Sequence, residues 1–161
     1  AWCEFGVREG RSLNWLIDYK PTQPIHAFDS WQGLPEKWNH GTGIVESMAC
    51  DPPEVPEHVA LHKGWFNATL PNFKANTIGF LHMDADIYHS TIYVLSELND
   101  KIIPGTVIVF DEFCNFRLSQ KMSNWPYDEF RAFQEWIEKY NRKVKPLGRN
   151  WAYQASCIVT N

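Results

Sequence analysis

With 161 residues, 44% of them apolar and 15% aromatic, the chain can bury one sizeable core and leaves little room for a second domain. A net charge of −4 with both signs interspersed offers no basic stripe for nucleic-acid phosphates. No apolar run approaches the roughly 20 residues of a membrane-spanning helix, and no signal-peptide pattern opens the sequence, so the expectation is a soluble protein without nucleic-acid or membrane partners.

The first strand is expected over about residues 1–6, followed by the glycine turn Gly6-Val7-Arg8-Glu9-Gly10 and a helix carrying Leu13, Leu16 and Ile17 at helical spacing. Residues 24–29 read as a second strand. The stretch from Trp31 to Pro56 is rich in Gly, Pro and Asn and has no period, which suits a lid or binding loop. A short third strand is expected over Val59 to Gly64 and a central fourth over Thr77 to Asp84. Ser90 and Thr91 offer caps for a helix reaching Asn99, and Pro104-Gly105 is expected to turn the chain into a fifth strand, Thr106 to Asp111. An aromatic segment, Phe113 to Tyr127, leads to a helix over about Tyr127 to Asn141, whose stripe of Phe130, Phe133, Trp136 and Ile137 is a packing face. Two last strands fall near Lys143 to Leu147 and Tyr153 to Thr160. The chain begins at Ala1 inside a strand, which suggests a single domain that has lost helices at its N-terminal side.

Strands alternating with helical stretches define an α/β protein with a largely parallel sheet, whose strands end on one edge. Four of them end at acids: Glu4 before Gly6, Asp29, Asp84, and Asp111 with Glu112. Ligands of open α/β sheets bind outside that edge, so the expected site is anionic and suits a cationic ligand or a metal ion. Asp29, about 20 residues past the glycine turn, stands where such folds place a carboxylate against ribose hydroxyls. The turn itself is G-x-x-x-G and lacks the G-x-G-x-x-G of pyrophosphate-binding sites, so Gly6 and Gly10 are expected only to let a ligand approach the backbone. Asp84-Ala85-Asp86 and Asp111-Glu112 are hard oxygen donors that fit magnesium or manganese. The alternative for any one of them is a helix cap, or a pair with Lys63, Arg117 or Lys121. The six histidines form no ligand-spaced set; His82 is expected as a satisfied core histidine and His89 as the one nearest the site. Cys3, Cys50, Cys114 and Cys157 form no C-x-x-C pair, which suits free thiols in a reducing, cytoplasmic setting.

Several ordered blocks carry a resemblance over nearly the whole chain. Glu4-Phe5-Gly6-Val7, Phe28-Asp29-Ser30-Trp31-Gln32-Gly33-Leu34-Pro35-Glu36, Gly64-Trp65-Phe66 with Thr69-Leu70-Pro71, Met83-Asp84-Ala85-Asp86-Ile87-Tyr88 with Ser90-Thr91, and Pro104-Gly105-Thr106 through Phe110-Asp111-Glu112 resemble motifs of the macrocin O-methyltransferase family of class I S-adenosylmethionine-dependent methyltransferases. The resemblance implies a Rossmann-like sheet of seven strands in the order 3-2-1-4-5-7-6, the last antiparallel, with flanking helices. It implies methyl transfer to a hydroxyl of a small molecule, a sugar or natural product, with S-adenosylmethionine as donor and magnesium or manganese as helper; a homo-oligomer is compatible with it. Glu4, Gly6 and Gly10 would line the methionine end of the donor, Asp29 would hold its ribose and Trp65 would sit near its adenine, with Ser12 and Ser30 also among the donor-binding residues. Asp84, Asp111 and Glu112 would match the metal ligands, with Asp86 as general base. Glu112 stands where the family commonly carries a second Asp. Trp125 and Tyr127 are candidate stacking surfaces for the acceptor.

Two other readings remain open from the sequence. A nicotinamide-dependent oxidoreductase would share the sheet, but the missing third glycine and the acids at the strand ends disfavour it. A donor-binding or scaffold domain without turnover would be consistent with the Glu112 departure.

Overall fold

The computed structural model describes residues 1–19, 21–36, 38, 48–114 and 125–161, the side chain of Trp125 excepted. Seven strands form one sheet: β1 (Trp2–Phe5), β2 (Ile25–Asp29), β3 (Val59–Lys63), β4 (Ile78–Met83), β5 (Ile102–Phe110), β6 (Val144–Arg149) and β7 (Ala155–Val159). Their order is β3-β2-β1-β4-β5-β7-β6. The neighbours from β3 to β5 are parallel, and β7 runs antiparallel to both β5 and β6. The expected fold class and order are therefore observed. The order reverses between β1 and β4, which opens the crevice in which such sheets hold ligands.

The helices are α1 (Arg11–Asp18), the short α2 (Phe66–Thr69), α3 (Tyr88–Glu97) and α4 (Glu129–Tyr140). One core face gathers Phe5, Phe28, Leu81, Met83, Phe110 and Trp136 under α3 and α4. The other gathers Val7, Leu13, Ile25, Ala27, Trp31 and Val59 beside α1. The alternation within β2, with Ile25 and Ala27 on one side and Phe28 on the other, is the period-2 signature of a strand buried on both faces.

Two expectations need correction, and one feature was not expected. Ser90 and Thr91 do not cap α3: the helix begins at Tyr88 after Ile87, and the buried Thr91 hydroxyl donates back to the Ile87 carbonyl at 3.0 Å. A threonine can satisfy itself inside a helix in this way, so its presence did not mark the boundary. Pro104-Gly105 lies within β5, which starts at Ile102; a register shift opposite Ile78 and Phe80 accommodates the proline that a regular ladder would exclude. The short helix Phe66–Thr69 and the 3-10 turn Leu70–Asn72 were not expected, being too brief to show a period.

Candidate active site

A cleft of about 1030 Å³ opens at the carboxyl ends of β1, β2 and β4. Gly6, Ser12, Asp29, Ser30, Trp65 and the acids Asp84, Asp86, Asp111 and Glu112 all line it. Gly10 and Glu4 lie behind this lining. Residues 37, 39–47 and 115–124 of the two loops expected to cover the cleft, including Arg117, Lys121 and His40, lie outside the described residues.

On the β1–β2 side, Asp29 organises the glycine turn. Its Oδ2 accepts the N–H groups of Val7 and Arg8, each at 2.8 Å, and its Oδ1 accepts that of Trp31 at 2.7 Å. The backbone around it is unusual, with left-handed φ at Arg8 (51°) and Trp31 (53°). Three charge-assisted bonds hold these otherwise costly conformations. Ser30 turns inward as well, donating to the Gly33 carbonyl and accepting the Gln32 N–H, both at 3.0 Å. The glycines answer to protein rather than to open space: a Cβ on Gly6 (φ 84°) would stand 1.7 Å from the Asp84 carbonyl oxygen, and one on Gly10 (φ 80°) 2.9 Å from Pro53. Gly6 is where the end of β1 passes against the end of β4.

Glu4 is wholly buried and reaches the cleft only through Ser12, whose hydroxyl donates to Glu4 Oε1. The same oxygen lies 3.1 Å from His82 Nδ1, as the β1–β4 register places Glu4 beside His82. Burial pushes the His82 pKa down, but the hydrogen bond and charge of Glu4 outweigh it and the net shift is upward. His82 is thus a satisfied core histidine with a charge partner. His89 lines the cleft and pairs with Glu36 at 2.7 Å, and Trp65, 36% exposed at the N-terminus of α2, lines it as well.

The β4–β5 side is crowded with acids. One carboxylate oxygen each of Asp84, Asp86 and Glu112 lie within 4.8 Å of one another. Asp111 stands beside this group with its Oδ1 accepting Gln154 Nε2 at 2.7 Å. Among the described residues no lysine or arginine forms an ion pair with any of these four. Burial, then Asp111 and Asp86, raise the Asp84 pKa well above the carboxylate range. Burial, then Asp111, raise that of Asp86 to about 8. Glu112 is raised by burial and Asp86, and its Oε2 is buried without a hydrogen-bond partner. Asp86 also adopts a left-handed φ of 63°, which Asp tolerates better than most residues and which often marks a functional site.

Asp84, Asp86 and Glu112 fit a hard divalent cation; Asp111, expected as the third ligand, is not among the gathered oxygens, whereas Asp86, expected as the base, is. Oxygens within 4.8 Å of one another match roughly twice a cation–oxygen distance of about 2.0–2.6 Å, and the orphaned Glu112 oxygen lacks the partner that a cation would supply.

Sequence reading missed a fifth acid. Glu129, in the first turn of α4, is completely buried, and its two oxygens accept the N–H groups of Ala85 (3.1 Å) and Glu112 (3.2 Å). Burial, then Asp84 and Asp86, hold its pKa well above the usual range. The signal was present: counting back from Trp136 through Phe133 and Ala132, the helical period puts position 129 on the buried face. Gln154 was missed too, and nothing in its sequence surroundings marks it.

A mostly parallel sheet with a glycine turn held by Asp29 on one side of its switch point and an acid cluster on the other defines a Rossmann-like fold with a ligand-sized cleft. A family profile described as a methyltransferase domain matches residues 3–113, and the chain belongs to that family. It is 37% identical over 59 residues to demethyldecarbamoylnovobiocin O-methyltransferase of Streptomyces niveus, covering 37% of this chain and 22% of the relative. It is 31% identical over 101 residues to mycinamicin III 3''-O-methyltransferase of Micromonospora griseorubida, covering 59% of this chain and 39% of the relative. The match thus spans well under half the length of these curated relatives. Among solved structures, a calicheamicin methyltransferase superposes with a TM-score of 0.71 at 21% identity, across 98% of this chain and 71% of that one. The O-methyltransferase NovP superposes with a TM-score of 0.66 at 20% identity, across 99% and 72%. These superpositions show the fold, and the O-methyltransferase resemblance drawn from the motifs holds.

Proposed function

We propose that the protein is an S-adenosylmethionine-dependent O-methyltransferase that methylates a hydroxyl of a sugar or other natural product with the help of a divalent cation. The observation that carries this reading is the approach of Asp84, Asp86 and Glu112 to within 4.8 Å on the floor of the cleft of a methyltransferase domain. The curated relatives, named for methyl transfer to novobiocin-type and mycinamicin-type acceptors, support the acceptor class.

S-adenosylmethionine supplies an electrophilic methyl group on a sulfonium centre, a cation that an acidic cleft favours over a pyrophosphate. Ser12, held by Glu4, lies at the methionine end; Asp29 and Ser30 present the ribose side; Trp65 offers a face to the adenine. Asp84, Asp111 and Glu112 would hold magnesium or manganese, which when bound lowers the pKa of a coordinated hydroxyl and offsets the repulsion among these acids. Asp86 stands within the same group and would take the hydroxyl proton onto a carboxylate oxygen. The cleft walls orient the acceptor oxygen in line with the methyl group, and such alignment supplies much of the rate enhancement of a two-substrate transfer.

Calorimetry with S-adenosylhomocysteine and with NAD tests the donor: binding of NAD and no response to the methionine-derived ligand would overturn the assignment. Mn²⁺ titration of Asp111→Asn and Asp86→Asn tests the division of roles. The first should lose at least tenfold in affinity and the second much less. The reverse result would transfer the ligand role from Asp111 to Asp86.

A further inference from the structure

The last ladder pair between the two central strands is Met83 with Phe110, and the Asp111 N–H still reaches the Met83 carbonyl at 2.9 Å. One step further along each strand the ladder ends and the backbones part into separate loops. The N–H groups there, of Ala85 after Asp84 and of Glu112 after Asp111, have lost the partner a sheet would provide. Buried amides in this position need an acceptor. Both find it in one carboxylate, that of Glu129, at 3.1 and 3.2 Å. Glu129 is itself anchored, because Ala132, Phe133 and Trp136 on the same face of α4 are buried in the core.

We propose that Glu129 is the positioning residue of the acid cluster: its carboxylate ties the end of β4 to the end of β5 and so sets the spacing between Asp84 and Asp86 on one loop and Glu112 on the other. Three features support this. Both bonds run to backbone at equivalent places on neighbouring strands, so each fixes a loop rather than a rotamer. With both oxygens engaged by amides, Glu129 acts on the cation through those loops. Finally, an acid on the buried face of a helix that packs against the sheet is costly unless it is hydrogen-bonded, and these are its bonds. Its place in the first turn of α4 adds a favourable interaction with the helix dipole. The proposal rests on the reading of the cluster as a cation site.

Glu129→Gln separates positioning from simple support of the fold. The amide keeps one acceptor oxygen and turns an NH₂ group toward the other backbone N–H, so one of the two bonds is lost with little change in volume. Hydrogen exchange at Ala85 and Glu112, followed by NMR, should show protection falling at least tenfold at one of these amides. Mn²⁺ affinity should fall at least tenfold, while S-adenosylhomocysteine affinity stays within twofold of wild type. Glu129→Asp, which keeps the charge but shortens the reach, should also lose Mn²⁺ affinity; affinity equal to wild type in both variants would overturn the proposal, as would unchanged protection of both amides. Wild-type protein that takes up no Mn²⁺ would instead remove the cation reading, and the role given to Glu129 with it. The wild-type arm thus distinguishes the two failures.

Discussion

On the β1–β2 side of the cleft Asp29 accepts three backbone N–H groups and Glu4 is matched by Ser12 and a His82 of raised pKa, whereas on the β4–β5 side Asp84, Asp86 and Glu112 face one another without an ion pair to lysine or arginine among the described residues. The first side is nearly complete as protein, Glu4 Oε2 being its one buried side-chain oxygen without a hydrogen-bond partner among the described residues. Its carboxylates hold a turn in a left-handed conformation and present a formed surface to a ligand. The second side is electrostatically incomplete, since two unit charges about 4 Å apart repel by roughly 4 kcal/mol at an effective dielectric of 20. On the proposed function, donor recognition and acceptor activation would fall to different electrostatic designs within one cleft.

Removal of divalent cations puts this division to its strongest test. Chelation should lower methyl transfer to a sugar hydroxyl by about 100-fold or more, equivalent to about 2.7 kcal/mol of barrier, and should leave S-adenosylhomocysteine affinity within twofold. Turnover at the untreated rate would mean that the acids work without a cation.

Gly6 joins the two sides, and Gly6→Ala should damage both. The added Cβ would meet the Asp84 carbonyl at 1.7 Å on a residue of φ 84°, so strain and overpacking combine to a loss of about 3 kcal/mol in denaturant unfolding. A loss under about 1 kcal/mol would show that β1 and β4 can separate at this point. Asp29→Ala is expected to act on the donor side alone, weakening S-adenosylhomocysteine binding by about tenfold or more, as removal of charge-assisted bonds of roughly 1.5–3 kcal/mol implies. Equal weakening of Mn²⁺ binding in that variant would break the division.

The gathering of acids on one edge was legible because parallel strands carry their C-terminal residues to a common edge, and Asp29, Asp84, Asp111 and Glu112 all follow apolar runs; the strand order came only with the family resemblance. Short or internally satisfied features were not legible. Thr91 bonds to its own helix, and Pro104 sits at a register shift that no local pattern announces. Glu129 was hidden by a misplaced face: the stripe read through Phe130 and Ile137 is rotated from the one that is buried, Glu129, Ala132, Phe133 and Trp136. An acid on a buried helical face is a stronger pointer to a site than an acid at a strand end, because burial has to be offset by specific partners. The inward bonding of Asp29 also lay beyond the sequence, since a carboxylate that caps a turn and one that meets a ribose occupy the same position after β2.

The smallest expected effect concerns the outer edge of the β1–β2 side, where His26 on β2 and His62 on β3 share a hydrogen bond, Nδ1 to Nε2, at 3.0 Å. One ring must donate and the other accept, so protonation of the accepting nitrogen would set two donors against each other. Burial, then His62, lowers the His26 pKa below 6.5, and burial lowers that of His62. A histidine whose folded pKa is depressed binds fewer protons when folded than when unfolded. Its contribution to stability is therefore complete above the unfolded value of 6.5 and is lost as the pH falls through the lower folded values. His82 has the opposite sign: its folded pKa is raised, so its contribution is complete below 6.5 and fades only as the pH rises through the raised value. The two effects occupy separate windows. In thermal unfolding between pH 7 and pH 5, wild type should lose melting temperature more steeply than His62→Gln, which retains a hydrogen-bonding side chain but does not titrate. Both rings are partly solvated, so solvent screening keeps the difference to a few degrees at most, about the size of a 1 kcal/mol change in a domain of this length. Parallel melting curves across that interval would show that the imidazole pair is indifferent to its protons, and the low-pH loss would then belong to other groups.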